Sequence, residues 1–169
     1  YYWDRLIREN VWYQSFQVMF GDERHDYAAA LQAHYERGPQ PDWQQRYVSA
    51  YAGAHPWEDF AETWAHYLHI TDTMETAYDF GFSIEGRAIP QPLADVSEAA
   101  RQRGNYLQAT GFDEMLVSWM RLTLAMNALN RSMGLRDAYP FVLNDGVRRK
   151  LAFVRETVAS YGRAGRSGG

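Results

Sequence analysis

A chain of 169 residues, 46% hydrophobic and 15% aromatic, is long enough for one domain with a substantial core and too rich in Trp and Tyr for a disordered segment. It has no cysteine, which excludes a disulfide framework and a thiolate metal site, and its net charge of −4 gives no electrostatic reason to expect nucleic acid. No apolar run approaches the ~20 residues needed to span a bilayer, so no membrane partner is expected.

The chain opens at Tyr1 with no initiator Met and with a helical pattern already under way. The N-terminus therefore reads as a cut, and localisation cannot be read. From Tyr1 to Phe20, the residues Trp3, Leu6, Ile7, Tyr13, Phe16 and Phe20 lie near one face and predict a single helix, ended by Gly21-Asp22. Asp26 is placed to cap a second helix, Tyr27 to Arg37, which stops at Gly38-Pro39. Pro41-Asp42 opens a third, Trp43 to Ala52, with Gly53 as its stop. A central helix is predicted from Pro56 to about Phe80. Pro56 fits a first turn, where its missing N–H costs nothing, and Glu58 and Asp59 follow where the helix dipole favours negative charge.

Gly81 to Asn105 holds Pro90, Pro92 and few large apolar residues, and reads as a long lid-like connection with a short helix over Ser97 to Arg103. From Phe112 to Met133 the stripe Met115, Leu116, Trp119, Leu122, Met126, Leu129, Met133 predicts a long helix with its apolar side in the core, stopped by Gly134. Asn144 or Asp145 can cap a last helix, Val147 to Tyr161, with Leu151, Val154 and Val158 inward. Residues 162–169 are expected to be a disordered tail. No strand pattern competes with these helical periods. The predicted fold class is all-α, a single-domain multi-helix bundle over residues 1–161.

On the central helix, Trp57, Ala61, Trp64 and Leu68 fall on one apolar arc, and Glu58, Glu62, His66 and His69 on a second arc about 80° wide. Glu62 and His66 stand one turn apart and could chelate one ion. Glu58 and His69 could not, because eleven residues separate them by ~16 Å along the axis. Spacing alone leaves two readings open, a solvated face with dipole-favoured acids and a Glu–His pair, or a metal site. None of the five histidines begins His-Glu-x-x-His, the helix that carries two zinc ligands and the base in many metallopeptidases. Glu-x-x-His, Gly-rich phosphate loops and Gly-x-Ser-x-Gly are also absent. His25, His34 and His55 read as surface or capping residues, and Arg148, Arg149 and Lys150 as a solvated helix face.

The blocks Tyr1-Tyr-Trp-Asp-Arg-Leu6, Phe20-Gly-Asp-Glu-Arg24, Asp26-Tyr-Ala-Ala-Ala30, Val48-Ser-Ala-Tyr51, His55-Pro-Trp-Glu-Asp-Phe-Ala-Glu-Thr-Trp-Ala-His-Tyr67 and Tyr139-Pro-Phe-Val-Leu143 together resemble a bacterial family of zinc-binding metallopeptidases. The resemblance implies a gluzincin-like enzyme, whose zinc is held by two histidines of His-Glu-x-x-His and a glutamate of a later helix. It implies that Glu58 is that third ligand and that Glu62 orients a zinc histidine by accepting its second N–H. By the same resemblance Tyr51 donates to the oxyanion and His66 lines the cleft. In the family, the His-Glu-x-x-His helix directly precedes the stretch beginning Tyr-Tyr-Trp, and a zinc ribbon often lies further upstream. On this reading the parent protein binds zinc and cleaves peptide or protein substrates. The chain as given, with one ligand of three and no base, neither hydrolyses peptides nor holds zinc tightly. The competing reading is a non-catalytic all-α domain that binds a protein partner through its aromatic-rich helices. A third option is a standalone metal site of Glu62, His66 and a carboxylate from another helix.

Overall fold

The computed structural model describes residues 1–84, 86–89, 111–139 and 143–164. The fold is all-α, with helices α1 (Tyr2–Leu6), α2 (Tyr13–Phe20), α3 (Tyr27–Arg37), α4 (Pro56–Asp79), α5 (Gly111–Ser132) and α6 (Asp145–Ala164) among the described residues. Two short 3₁₀ turns, Trp43–Gln45 and Tyr51–Ala54, precede α4. The chain divides into two compact units, Tyr1–Tyr67 with Val142–Gly169, and Leu68–Phe141. The first half of α4 belongs to one unit and the second half to the other.

Several ends follow local chemistry. Asp26 caps α3 by accepting the Ala29 N–H at 3.0 Å, and Asn144 caps α6 by accepting the Val147 N–H at 2.8 Å. Gly21 follows α2 at φ 106° and Gly134 follows α5 at φ 76°, a region that costs glycine nothing.

Four expectations are corrected. The single helix over Tyr1 to Phe20 is two helices. Between them Asn10 turns its side chain onto the Val11 N–H at 2.7 Å while its carbonyl accepts the Tyr13 N–H at 3.1 Å, a local alternative to the helical ladder. The helix over Trp43 to Ala52 is only the pair of 3₁₀ turns. Its carbonyls are drawn into tertiary bonds: Asn144 donates to Gln44 at 2.7 Å, and Lys150 donates to Arg46 at 2.9 Å. A small antiparallel hairpin, β1 (Ser83–Ile84) and β2 (Arg87–Ala88), pairs Ser83 with Ala88 and Ile84 with Arg87 where only a loop was expected. Finally, α6 continues past Tyr161 to Ala164, through residues assigned to the tail. The helix expected over 97–103 lies outside the described residues.

The first unit is built on aromatic packing. Phe16 stacks on Phe20 at 5.1 Å, and Phe20 meets Phe60 and Phe153 edge-on, each at 5.6 Å. Ile7, Val147, Leu151 and Val154 fill the same unit and are fully buried, while Val158, expected inward, is only half-buried and Thr157 takes the buried place. Lys150 is a further correction. It is buried, not solvated, because its ammonium has found Asp59 and the face of Tyr47.

The second unit buries Ile70, Met74, Ala77, Ile89, Met115, Leu116, Trp119 and Leu122. The α5 stripe leaves its core earlier than its periodicity suggests. Asn127 is buried, whereas Leu129 and Met133 are 62% and 64% exposed. On α4 the buried line is Phe60, Thr63, Tyr67, Ile70, Met74 and Ala77, at alternating three- and four-residue steps. It runs beside the predicted arc, so Ala61 and Leu68 are exposed.

Candidate functional site

The first turn of α4 is held by His55. Its Nδ1 accepts the Trp57 N–H at 3.1 Å, so the proton of the neutral ring resides on Nε2, which donates to the His25 carbonyl at 3.2 Å. The ring is buried, edge-on to Tyr27 at 5.1 Å and tilted against Trp57 at 5.0 Å. The capping role expected of His55 is therefore real. It ties the start of α4 to the connection that enters α3.

That tie brings the first residue of α3 onto the first carboxylate of α4. The Tyr27 phenol donates to Glu58 Oε1. Bonding to the carboxylate raises the Tyr27 pKa, and burial and the Glu58 charge act in the same direction. Tyr51, in the 3₁₀ turn before α4, is also raised, chiefly by burial and next by the negative charge of Glu58. The structure thus groups Glu58 and Tyr51, two of the residues singled out in the sequence, and adds Tyr27. In the sequence Tyr27 marks the start of a helix and belongs to one of the blocks that carry the family resemblance. No signal in the sequence joins it to Glu58, which lies 31 residues away.

Glu58 forms part of the wall of a pocket of about 390 Å³. Tyr1, Tyr2, Trp3 and Asp4 line it from α1 and the residue before it, and Trp57, Ala61 and Trp64 line it from α4. Glu58 therefore faces the same space as the N-terminal residues. Glu62 and His66 are half-buried on α4 and are not among the residues lining this pocket. His66 Nδ1 lies 2.8 Å from the Glu62 carbonyl, so this pair meets through the Glu62 backbone. His69 is exposed, with the Tyr139 hydroxyl 3.5 Å from its Nδ1.

Asp59, next to Glu58, faces away from it into the core. Its carboxylate is 1% exposed and meets Lys150 Nζ at 2.6 Å. Its pKa is raised to about 6, because burial disfavours the anion more than Lys150 favours it. The pair anchors the turn of α4 that presents Glu58.

As a zinc site these residues are incomplete. Among the described residues no three His, Asp or Glu side chains converge on a common point. The pocket walls offer the carboxylates of Glu58 and Asp4 and no imidazole, and Asp4 is paired with Arg8 at 2.9 Å. Zinc sites take three or four protein ligands, so the residues present do not by themselves fit the ion. The same observation leaves the standalone Glu62–His66 site without support among the described residues.

The described residues thus set the Tyr27 phenol and the Glu58 carboxylate together in the wall of an aromatic pocket. Residues 1–157 match the family model described as "Putative zinc-binding metallo-peptidase", and the chain belongs to that family. It is 39% identical over 159 residues to an uncharacterized protein of Mycobacterium bovis and, equally, to uncharacterized proteins from two strains of Mycobacterium tuberculosis. The match covers 94% of this chain and 43% of each relative, so the chain spans less than half the length of the curated relatives it matches. No solved structure matches it significantly.

Proposed function

We propose that this chain is the C-terminal, helical part of a gluzincin-like zinc peptidase, in which Glu58 supplies one carboxylate ligand. Two histidine ligands and a general base would come from parts of the protein outside this chain. The observation that carries the reading is the position of Glu58. It lines a pocket together with Tyr1 to Asp4, in a chain of a zinc-peptidase family. Tyr51 is the oxyanion donor on this reading. A tyrosine hydroxyl is protonated at neutral pH and can donate to a peptide carbonyl oxygen, and Tyr51 stands in the 3₁₀ turn that leads into the first turn of α4. Glu62 would accept the second N–H of a zinc histidine, and His66 would stand beside it. The substrates are peptides or proteins. The chain alone, with a single ligand, neither cleaves peptides nor binds zinc tightly.

Zinc titrated calorimetrically into this chain should give no site tighter than micromolar, and a sub-micromolar site would overturn the proposal. In the full-length protein, Glu58→Gln should weaken zinc by more than the roughly 10–100-fold that loss of a group merely orienting a ligand costs, and unchanged affinity would remove Glu58 from the site. The interaction-domain reading draws on α5, where Leu124, Leu129 and Met133 are more than 60% exposed. It predicts that Glu58→Gln changes no property of the full-length protein that depends on zinc.

A further inference from the structure

We propose that α5 carries a self-association surface, on which a second copy of this protein docks its own α5 antiparallel to the first. The inference does not depend on the role of Glu58. At about 100° per residue, Asp113, Val117, Met120, Leu124, Ala128 and Arg131 fall within one stripe about 80° wide, at three- and four-residue steps. The stripe lies beside the face that α5 buries in its own unit. All six residues are exposed, Val117 by 48%, Met120 by 43% and Leu124 by 67%. Leu129 and Met133 lie on another side of the helix and are no part of it.

The order of residues along the stripe points to its occupant. Asp113 stands nine residues before Leu122 and Arg131 nine after it. Met120 stands two before and Leu124 two after, and Val117 and Ala128 stand five before and six after. Turned end for end about the level of Leu122, the stripe therefore presents acid to base and apolar to apolar. This is the self-complementarity that a twofold contact between identical chains requires. Met120 of one copy packs on Leu124 of the other, Val117 on Ala128, and Asp113 meets Arg131, each contact occurring twice. An unrelated protein places no such demand on the order of residues.

Charge favours the same arrangement. The first turn of α5 holds Asp113 and Glu114 and its last turn Arg131. Two antiparallel copies put each acidic end beside a basic one and oppose their helix dipoles. Arg131 is also pre-oriented. Its Nε and Nη2 donate to Asp137 at 2.6 and 2.8 Å, which fixes the guanidinium and leaves the Nη1 protons outside that fork. Arg121 lies beyond the edge of the stripe, where it lines a groove with Ile84 of the hairpin. At 22 residues α5 is about 33 Å long, and a contact of one such helix per copy is at the small end of interface sizes, so the dimer is reversible, not permanent.

Sedimentation equilibrium of the full-length protein from about 1 to 100 µM should show a monomer–dimer equilibrium within that range. Leu124→Glu sets a carboxylate in the middle of the contact from an exposed position, so the fold should survive, as its melting curve will check, and the dimer should weaken at least about ten-fold. Asp113→Arg and Arg131→Asp should each weaken it as well, because each variant's own dimer opposes like charges twice. Mixed together, those two variants should associate at least about ten-fold tighter than either alone, since both pairs of the mixed dimer are then opposite in sign. A protein that stays monomeric to about 100 µM, a dimer indifferent to Leu124→Glu, or a mixture no tighter than its components would overturn the proposal. A monomer that melts lower in Leu124→Glu would overturn it too, by showing that another part of the longer protein covers the stripe.

Discussion

Lys150 Nζ stands 2.6 Å from Asp59 Oδ2, 2.9 Å from the Arg46 carbonyl and 4.5 Å from the centre of the Tyr47 ring, with both charged side chains buried. One ammonium thereby joins α6, α4 and the connection before α4. Such a pair adds little over a well-packed apolar substitute, but breaking it leaves a buried charge alone. Lys150→Met should destabilise the protein by about 3–5 kcal/mol, and Asp59→Leu combined with Lys150→Met should recover most of that loss. Urea denaturation of the three proteins measures it. The pH dependence has a definite sign. The folded pKa of Asp59, about 6, lies above its ordinary 3.8, so the stability this carboxyl contributes is full below about pH 4 and is lost as pH rises through 6. Removing Lys150 raises that pKa further, so the deficit of Lys150→Met should be wider at pH 7 than at pH 5.

His55 caps α4 and reaches the His25 carbonyl with one neutral ring. Deleting the ring in His55→Ala removes a cap and a buried bond together and should cost about 2 kcal/mol. His55→Asn restores an acceptor for the Trp57 N–H and should regain part of it. Thermal melts separate the two variants. If both melt like the parent, the cap contributes nothing.

These two sites also mark where sequence reading reaches and where it stops. Helix ends at Asp26, Asn144, Gly21 and Gly134 were legible because each depends on groups within a turn of one another. Asn10 acts just as locally, yet the apolar face over Tyr1 to Phe20 masked it. In the sequence Lys150 reads as one of three solvated cations, and its burial is explained by partners about a hundred residues earlier, Asp59, the Arg46 carbonyl and the Tyr47 ring. The stretch 43–52 has helical composition, but the cap residue and the lysine of α6 take its carbonyls from a hundred residues away. At the candidate site, Glu58 was legible through its motif and its place in a first turn. Tyr27 was not, since its partner is fixed by the packing of α3 against α4.

The bond from Tyr27 to Glu58 can be followed through the phenol. Because the hydrogen bond to the carboxylate is the largest cause of the raised Tyr27 pKa, Glu58→Gln should bring its titration back toward 10. Carbon NMR of ring-labelled tyrosine across pH 9–12 reads this directly. The folded value lies above the unfolded one, so the stability this group contributes is complete below about pH 10 and disappears above it. Tyr27→Phe should cost about 0.5–1 kcal/mol, the lower part of the usual range, because the bond is exposed. A Tyr27 titration that ignores Glu58→Gln would show that the contact does not persist in solution.

In the second unit Asn127 takes the place of a strand partner. Its Nδ2 donates to the Tyr139 carbonyl at 2.8 Å, and its Oδ1 accepts the Tyr139 N–H at 3.1 Å, so one buried amide satisfies both backbone groups of a residue outside regular structure. Tyr139 is held beside α5 in this way, its ring edge-on to Trp119 at 4.8 Å. Asn127→Ala would lose both bonds and strand the backbone groups, at about 2–3 kcal/mol. Asn127→Asp keeps the acceptor but replaces the donor with a buried negative charge facing a carbonyl, so at neutral pH it should be at least as damaging. It should improve on acidification, when the protonated carboxyl can donate again, whereas Asn127→Ala should gain nothing specific from the change. Denaturation at pH 4 and pH 7, with exchange of the Tyr139 amide as the local readout, distinguishes this two-point clamp from simple space filling, for which Asn127→Leu would be tolerated.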